Sequence, residues 1–232
     1  MKTFVTADIH GNYKALKQCI ERSGFDSLED QLIILGDIVD GYPESKECID
    51  FLISLPNTIL IIGNHDQFYI DYLKTGAMPS LWINQGGAAA CKSIGHVFNQ
   101  SHLDFFNKGH YVYVDDKNRL FVHGGIDLDI PIENQVPEKL MWDREMINYA
   151  YNCEHTQSCK IPKKLQGHTM YFIGHTTTEH YGSNEPLKLC NVWALDTGAG
   201  FDGKLTIMNI DTEEYWQSDT GDSLYGENQG RG

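Results

Sequence analysis

The first third of the chain alternates short apolar runs with amphipathic segments, and this alternation limits the possible fold more than any other feature. β-branched and apolar residues predict strands at 3–7, 32–35 and 58–62. Apolar residues at helical spacing predict helices over 12–24, 43–55 and 66–76. Strands that alternate with helices are typical of a parallel sheet covered by helices. We therefore expect an α/β fold.

The remainder of the chain is richer in predicted strands and can form a second sheet. Further apolar runs predict strands at 111–114, 119–122, 170–173, 192–195 and 204–210. Residues 127–168 read as a less regular, partly helical insertion, and we find no linker between domains. We expect a single domain over 1–217, followed by a polar, glycine-rich and disordered tail over 218–232.

Polar side chains follow five of the predicted strands at the point where each strand ends. They are Asp8, His10, Asp37, Asp40, Asn64, His65, His123 and His175. In open α/β sheets ligands bind beyond the carboxyl ends of the strands, so these side chains are expected to share one edge of the sheet. Neighbouring glycines at Gly11, Gly36, Gly63, Gly124 and Gly174 allow the backbone to turn sharply there.

The chemistry of this group suits a divalent transition metal. Carboxylate and amide oxygens combined with imidazole nitrogens fit manganese, iron or zinc, and no thiol belongs to the group. Asp8 and His10 are separated by one residue, so on an extended chain they point to the same side. Taken singly, each residue has an ordinary explanation, such as a helix N-cap for Asp8. Together, at successive strand ends, they predict a metal site.

The charge of the chain restricts its partners. The sequence has 18 Lys and Arg residues against 32 Asp and Glu residues, a net charge of −14, which argues against nonspecific binding to nucleic acid. An anionic substrate would need a local cation, which bound metal can supply. The sequence has no apolar run long enough for a membrane span, and its start reads as a strand and not as a signal peptide. We expect a cytoplasmic protein.

Two of the six cysteines flank a histidine, which raises the question of a zinc knuckle or a disulfide. Cys153 and Cys159 stand on either side of His155, but their spacing fits no zinc pattern. A reducing compartment also disfavours a disulfide. We interpret this pair as two thiols in a surface loop.

Five short motifs, in this order, resemble the phosphoprotein phosphatase branch of the metallophosphoesterases, and most closely its small bacterial and phage serine/threonine phosphatases. The motifs are DIHGN at 8–12, GDIVDG at 36–41, GNHD at 63–66, HGG at 123–125 and GHT at 174–176. A further stretch at 195–211 resembles the strand pair that closes such domains. The resemblance implies a calcineurin-like fold, a four-layer α/β/β/α sandwich.

For the site, the resemblance implies two divalent cations, with manganese expected first and iron or zinc as alternatives. Asp8, His10 and Asp37 would hold the first cation. Asp37 would bridge to the second, which Asn64, His123 and His175 would complete. His65 would act as general acid or orient the substrate, steered by Asp40.

Two phosphate-binding arginines that are usual in this family are missing. Gly41 stands where the family usually has Arg after the second Asp of GDxxD, and Ile62 stands where Arg often precedes GNH. Arg144 resembles the arginine of a Trp-x-Arg segment and could clamp phosphate with two hydrogen bonds. The alternative is a surface arginine paired with Asp143 or Glu145.

The leading hypothesis is a metal-dependent phosphomonoester hydrolase, resembling a serine/threonine protein phosphatase and acting on a phosphorylated protein, peptide or small ester. A hydroxide that bridges the metals would attack phosphorus in line. One alternative is hydrolysis of dinucleoside polyphosphates of the diadenosine tetraphosphate type, or of another small phosphoanhydride. A second is a metal-binding regulatory module without turnover.

Overall fold

Two five-stranded sheets form the centre of the molecule in the computed structural model, which describes residues 1–95, 98–156, 161–227 and 229–231. The strands are β1 (Thr3–Thr6), β2 (Gln31–Ile34), β3 (Thr58–Leu60), β4 (Val112–Val114), β5 (Arg119–Val122), β6 (Met170–Ile173), β7 (Leu187–Leu189), β8 (Val192–Ala194), β9 (Thr206–Asn209) and β10 (Tyr215–Gln217). Each of the eight predicted runs overlaps one of these strands.

The two sheets have related topologies. The first has the order β10-β9-β1-β2-β3, in which β1, β2 and β3 are parallel, β9 pairs antiparallel with β1, and β10 pairs antiparallel with β9. The second has the order β4-β5-β6-β8-β7, with β5, β6 and β8 parallel to one another. Each sheet therefore has a parallel centre whose strands end at a common edge.

Helices cover the outer faces of the sheets. They are α1 (Tyr13–Ser23), α2 (Ser45–Ser54), α3 (Asn64–Thr75), α4 (Ser80–Trp82), α5 (Ala88–Ile94), α6 (Gln100–Phe106), α7 (Pro137–Trp142), α8 (Glu145–Thr156) and α9 (Gly221–Tyr225). A π-helical segment spans Ile83–Gly87, and 3₁₀ turns span Ile132–Asn134, Lys163–Leu165 and Thr178–Tyr181.

Alternation along the strands builds three cores. In β1, Phe4 faces the helices while Val5 faces the other sheet, and Leu32 and Ile33 alternate in the same way in β2. Between the sheets, the rings of Phe121 and Phe172 stack with centroids 5.0 Å apart. A third core lies between the second sheet and α8. These cores separate four layers, so the predicted α/β/β/α sandwich is confirmed.

Helix α3 begins at Asn64, two residues earlier than the sequence predicts. Asp66 explains the early start, because its carboxylate accepts a hydrogen bond from the backbone N–H of Gly63 at 3.1 Å. A carboxylate in the first turn satisfies a donor that the helix leaves unpaired. Asn64 and His65 therefore project from the first turn of a helix rather than from a strand end.

The segment 218–231 is ordered where the structure describes it, which corrects the expectation of a disordered tail. Residues Gly221–Tyr225 form α9, and the ring of Tyr225 lies 4.8 Å from that of Tyr42. Lys14 Nζ donates a hydrogen bond to Leu224 O at 2.7 Å. The polar, glycine-rich composition misled the prediction because order here comes from contacts with distant residues.

Cys153 also differs from expectation. It is buried in α8, not exposed in a surface loop, because it lies on the face of the helix that packs against the second sheet. Cys159 lies outside the described residues. Within the residues that the structure describes, no helix has both the length and the apolar character needed to cross a membrane.

Candidate metal centre

The polar residues that follow the strands meet at one edge, between the two sheets. His123 Nε2, beyond β5, lies 3.3 Å from Asp37 Oδ2, beyond β2. His10 Nε2, beyond β1, lies 3.7 Å from the same oxygen of Asp37. Because the parallel strands of both sheets end here, residues far apart in sequence share one small volume.

Asp37 belongs to two groups of possible metal ligands. Asp8, His10 and Asp37 offer ligand atoms that all lie within 4.8 Å of one another, and Asp37, His123 and His175 do the same. A carboxylate shared by two such groups is suited to bridging two cations. Asn64 adjoins the second group, with its Oδ1 atom 3.1 Å from His123 Nε2.

Backbone carbonyls set the orientation of two of these imidazoles. His10 Nδ1 lies 3.0 Å from Val39 O, and His123 Nδ1 lies 2.6 Å from Leu35 O. A carbonyl oxygen only accepts hydrogen bonds, so Nδ1 must carry the proton in both rings. In the neutral imidazole Nε2 then keeps a lone pair that faces Asp37, as a metal ligand requires.

Asp37 is held in place by its own neighbours. Its Oδ1 atom accepts a hydrogen bond from His65 N at 2.9 Å. The buried carboxylate of Asp66 accepts from Asp37 N at 2.8 Å and from Ile38 N at 2.9 Å. These hydrogen bonds therefore hold the start of helix α3 against the loop after β2, next to the carboxylate of Asp37.

Left-handed backbone conformations concentrate at this edge. Of the eight non-glycine residues with positive φ in the described part of the chain, five belong to the predicted site: Asp8, His10, Asp37, Asp40 and His175. We expected Asp8 and His10 to point to the same side because the backbone between them is extended, but neither residue has an extended backbone. Both side chains reach the site from tight left-handed turns.

His65, Asp40 and Trp82 form a buried chain of contacts beside the ligands. His65 Nδ1 lies 2.5 Å from Asp40 Oδ2, and the same oxygen accepts a hydrogen bond from Trp82 Nε1 at 2.8 Å. The His65 ring lies 5.0 Å from that of His10, measured between centroids. The carboxylate of Asp40 thus fixes the imidazole of His65, and Trp82 fixes the carboxylate.

The close packing of carboxylates changes the acid–base properties of the site. Burial raises the pKa of Asp196 to about 6, and the charge of Asp37 acts in the same direction. Burial by itself lowers the pKa of His123, but the nearby carboxylates, Asp37 first, raise it overall to about 10. Burial and the charge of His123 lower the pKa of His175 to about 3. Carboxylates this close together need compensating positive charge, which bound cations can supply.

The donor set fits divalent cations. The Nε2 atom of His175 is buried and has no hydrogen-bond partner among the described residues, although it belongs to the second ligand group. A buried imidazole nitrogen without a partner is costly unless it binds something. Mixed carboxylate and imidazole donors are those that manganese, iron and zinc accept.

Arg144 lines a pocket of about 110 Å³ together with Asn64 and His175. The ion pairs that the sequence allowed for it are made by another residue: Lys139 Nζ lies 2.7 Å from Asp143 Oδ1 and 2.6 Å from Glu145 Oε2. Those two acids are therefore occupied by Lys139, and the exposed Arg144 side chain faces the pocket.

Sequence reasoning missed several residues of the site. Asp196 lies two residues beyond the end of β8 and lines the same pocket as Arg144, so the strand-end signal could have identified it. Trp82 and Arg231 gave no such signal, because neither follows a strand. Arg231 Nη1 lies 3.0 Å from His10 Nε2, across 221 positions of sequence.

The chain belongs to the calcineurin-like phosphoesterase family, which matches residues 1–196. The resemblance predicted from the five motifs is therefore confirmed. Divalent metals are the cofactors of this class, in agreement with the two ligand groups.

Proteins of two kinds are among the relatives that this chain matches. A symmetrical bis(5'-nucleosyl)-tetraphosphatase of Coxiella burnetii is 39% identical over 77 residues, which cover 33% of this chain and 26% of that protein. The match thus spans about a quarter of the relative's length. Serine/threonine-protein phosphatase 1 of Salmonella typhimurium is 25% identical over 216 residues, covering 89% of this chain and 91% of that protein.

A solved structure shares the fold at low sequence identity. A metallophosphoesterase from Sphaerobacter thermophilus superposes with a TM-score of 0.59 and 18% identity, covering 97% of this chain and 90% of that chain. The likeness shows that the layered architecture is that of the family.

Proposed function

We propose that this chain is a metal-dependent phosphomonoester hydrolase of the serine/threonine protein phosphatase type. The observation that carries the proposal is the position of Asp37 in two groups of possible ligands at once. Two cations bound there would activate water for attack on phosphorus and offset the charge of the phosphoryl oxygens. Manganese is the expected cation, with iron or zinc as alternatives.

The ligands that we propose divide between the two cations and share one carboxylate. The first cation would be held by Asp8, His10 and Asp37, and the second by Asp37, Asn64, His123 and His175. Support comes from the distances among their ligand atoms and from the proton positions that the backbone carbonyls impose on His10 and His123.

His65 is the proposed proton donor to the leaving group. Its Nδ1 atom is engaged by Asp40, so Nε2 remains as the atom that can exchange a proton with substrate. The carboxylate of Asp40 holds the ring in position, so that Nε2 can serve a leaving group as a general acid. Trp82 acts as a positioning residue, since it contacts Asp40 and not the reacting atoms.

Arg144 is the proposed substrate-binding residue. Its guanidinium can donate two parallel hydrogen bonds to a phosphoryl group in the pocket that it shares with Asn64 and His175. The engagement of Asp143 and Glu145 by Lys139 supports this assignment.

A larger cavity beside the pocket favours a phosphoprotein over a polyphosphate. This cavity has a volume of about 560 Å³ and shares Phe201 with the pocket that Arg144 lines. Glu179 and Asp202 line it. Carboxylates repel a chain of phosphates and attract basic or hydrogen-bonding peptide groups.

Hydrolysis of dinucleoside tetraphosphates is the second candidate. The 39% identity to the Coxiella burnetii tetraphosphatase favours it, over the third of the chain that the match covers. A metal-binding module without turnover has less support, because binding of a cation alone would not require the contact between His65 and Asp40.

A substrate panel with the purified full chain and manganese tests the proposal. We expect hydrolysis of p-nitrophenyl phosphate, and a kcat/KM for phosphoserine peptides at least about tenfold above that for diadenosine tetraphosphate. The reverse ratio would establish the second candidate. If no substrate is hydrolysed in the presence of manganese, iron or zinc, only the metal-binding module would remain as a candidate.

A further inference from the structure

Arg231 reaches the candidate metal centre from the far end of the sequence and is held at several points. Its backbone N–H donates a hydrogen bond to Gly200 O at 2.7 Å. Its guanidinium carbon lies 5.1 Å from the centroid of the Phe201 ring, which places the cation over an aromatic face. Its Nη1 atom lies 3.0 Å from His10 Nε2. The side chain is therefore directed into the site.

The segment that carries Arg231 is docked on the domain. Gly221 and Gly230 both pack against Tyr42, where an added Cβ would lie 1.8 Å and 3.0 Å, respectively, from the Tyr42 hydroxyl. The hydroxyl of Tyr225 hydrogen-bonds Glu44. These contacts lie on both sides of residues 226–229, so they limit the positions that Arg231 can take.

Gly41 leaves open the space that Arg231 occupies. A Cβ built at Gly41 would lie 3.0 Å from Cγ of Arg231, which is tighter than nine in ten real Cβ contacts. A long side chain at position 41 and the side chain of Arg231 would therefore compete for the same volume. Position 41 is where the motif GDxxD is usually followed by arginine in the family that this sequence resembles.

Arg231 and Arg144 line the same pocket. The pocket has a volume of about 110 Å³ and also contains Asn64 and His175. The chain has a net charge of −14 and only four arginines, so two guanidiniums at one pocket concentrate positive charge where the rest of the molecule is anionic. Two planar guanidiniums can bind the oxygens of one phosphoryl group from different sides.

We propose that Arg231 is a phosphate-binding residue of the active site, supplying from the C-terminal segment the guanidinium that position 41 lacks. This inference rests on the proposed function, because it assigns the second phosphate contact of the same site. In the structure, the guanidinium of Arg231 faces the lone pair of His10 Nε2, an atom that we propose as a ligand of the first cation. If Nε2 binds that cation, the N–H groups of Arg231 can donate hydrogen bonds to phosphate oxygens instead.

The test compares Arg231→Gln with Arg22→Gln, a matched loss of one guanidinium. Arg22 pairs with Asp219 on the surface, outside the pocket. We would measure inorganic phosphate binding to the manganese-loaded protein by calorimetry, manganese binding without phosphate, and steady-state kinetics with p-nitrophenyl phosphate. Arg231→Gln should weaken phosphate binding roughly 10- to 100-fold and raise KM, while Arg22→Gln should change neither. Manganese affinity should not fall in either variant.

Two results would overturn the inference. One is phosphate affinity in Arg231→Gln that equals that of the unsubstituted protein. The other is tighter manganese binding with unchanged phosphate affinity, which would make Arg231 a competitor of the first cation. If phosphate binding depends on Arg231 but no ester is hydrolysed, the proposed function fails while the assignment of Arg231 stands.

Discussion

The backbones of Asp8, His10 and Asp37 lie in the left-handed region, which costs a residue with a Cβ roughly 1–3 kcal/mol. Hydrogen bonds between the two loops hold them there. Asp8 N donates to Gly36 O at 3.1 Å, and His10 N donates to Asp37 O at 2.9 Å. The loops after β1 and β2 therefore stabilise each other in a conformation that aims three possible ligands at one point.

Among single residues, His65 provides the most direct test of the proposed proton transfer to the leaving group. His65→Asn should lower kcat by about two to four orders of magnitude, because it removes the proposed proton donor. Bound manganese, measured by metal analysis, should not change, since His65 is not among the proposed ligands. The control is His155→Asn, an exposed histidine of α8 that should leave both quantities unchanged. Full activity in His65→Asn would remove the assigned role.

Among the elements, the junction of β3 and α3 depends on Gly63 for its close approach to the loop after β2. A Cβ built at Gly63 would lie 2.1 Å from Asp37 Oδ1 and 2.5 Å from Asp37 N. A larger residue must move either the start of α3 or the shared carboxylate. The glycine of GNHD thus serves close packing, and not the sharp turn that the sequence suggested.

Gly63→Ala should therefore affect stability and metal binding together. We expect a loss of about 1–3 kcal/mol in the free energy of unfolding, from overpacking, and weaker binding of manganese because Asp37 is displaced. Gly167→Ala is the matched control, since the nearest atom to its Cβ would be the Tyr171 hydroxyl at 3.4 Å. Denaturant unfolding and manganese titration measure the two effects. Equal behaviour of the two variants would contradict this account of the junction.

The two strands that the sequence did not predict are both at sheet edges. β7 ends the second sheet and β10 ends the first. Both are three residues long and at most partly buried over most of their length. An edge strand faces solvent along one side, so it needs no continuous apolar run, and periodicity does not reveal it.

For the molecule as a whole, negative charge is the dominant electrostatic feature. The net charge is −14, and Asp8, Asp37, Asp66 and Asp196 are buried near one another. Burial and the charge of Asp37 raise the pKa of Asp66 to about 7. Cations that bind only the folded chain would relieve this repulsion and shift the folding equilibrium.

Manganese should therefore stabilise the fold. At about a hundredfold excess over Kd, each site adds about 2.7 kcal/mol, which corresponds to a rise in Tm of about 5–10 °C for a chain of this size. Thermal unfolding with and without manganese measures the shift, and a chelator should reverse it. Asp37→Asn should abolish most of the shift, since Asp37 belongs to both ligand groups. A Tm that is indifferent to manganese, iron and zinc would exclude the metal centre.

By itself, the sequence determined the layered fold, the family and the candidate ligands at five strand ends. Strands buried on both faces are continuously apolar, so a polar residue directly after such a run marks the edge of the sheet at which ligands bind. These are local signals, which a linear reading detects. Asp196 carried the same signal after β8.

Only the tertiary structure decided the supporting residues. Trp82 meets Asp40 across 42 positions of sequence, and Arg231 meets His10 across 221. The order of the tail likewise depends on Tyr42 and Glu44, which lie far from it in sequence. Such contacts arise from packing of distant segments, and neither composition nor periodicity near these residues records which partner they will meet.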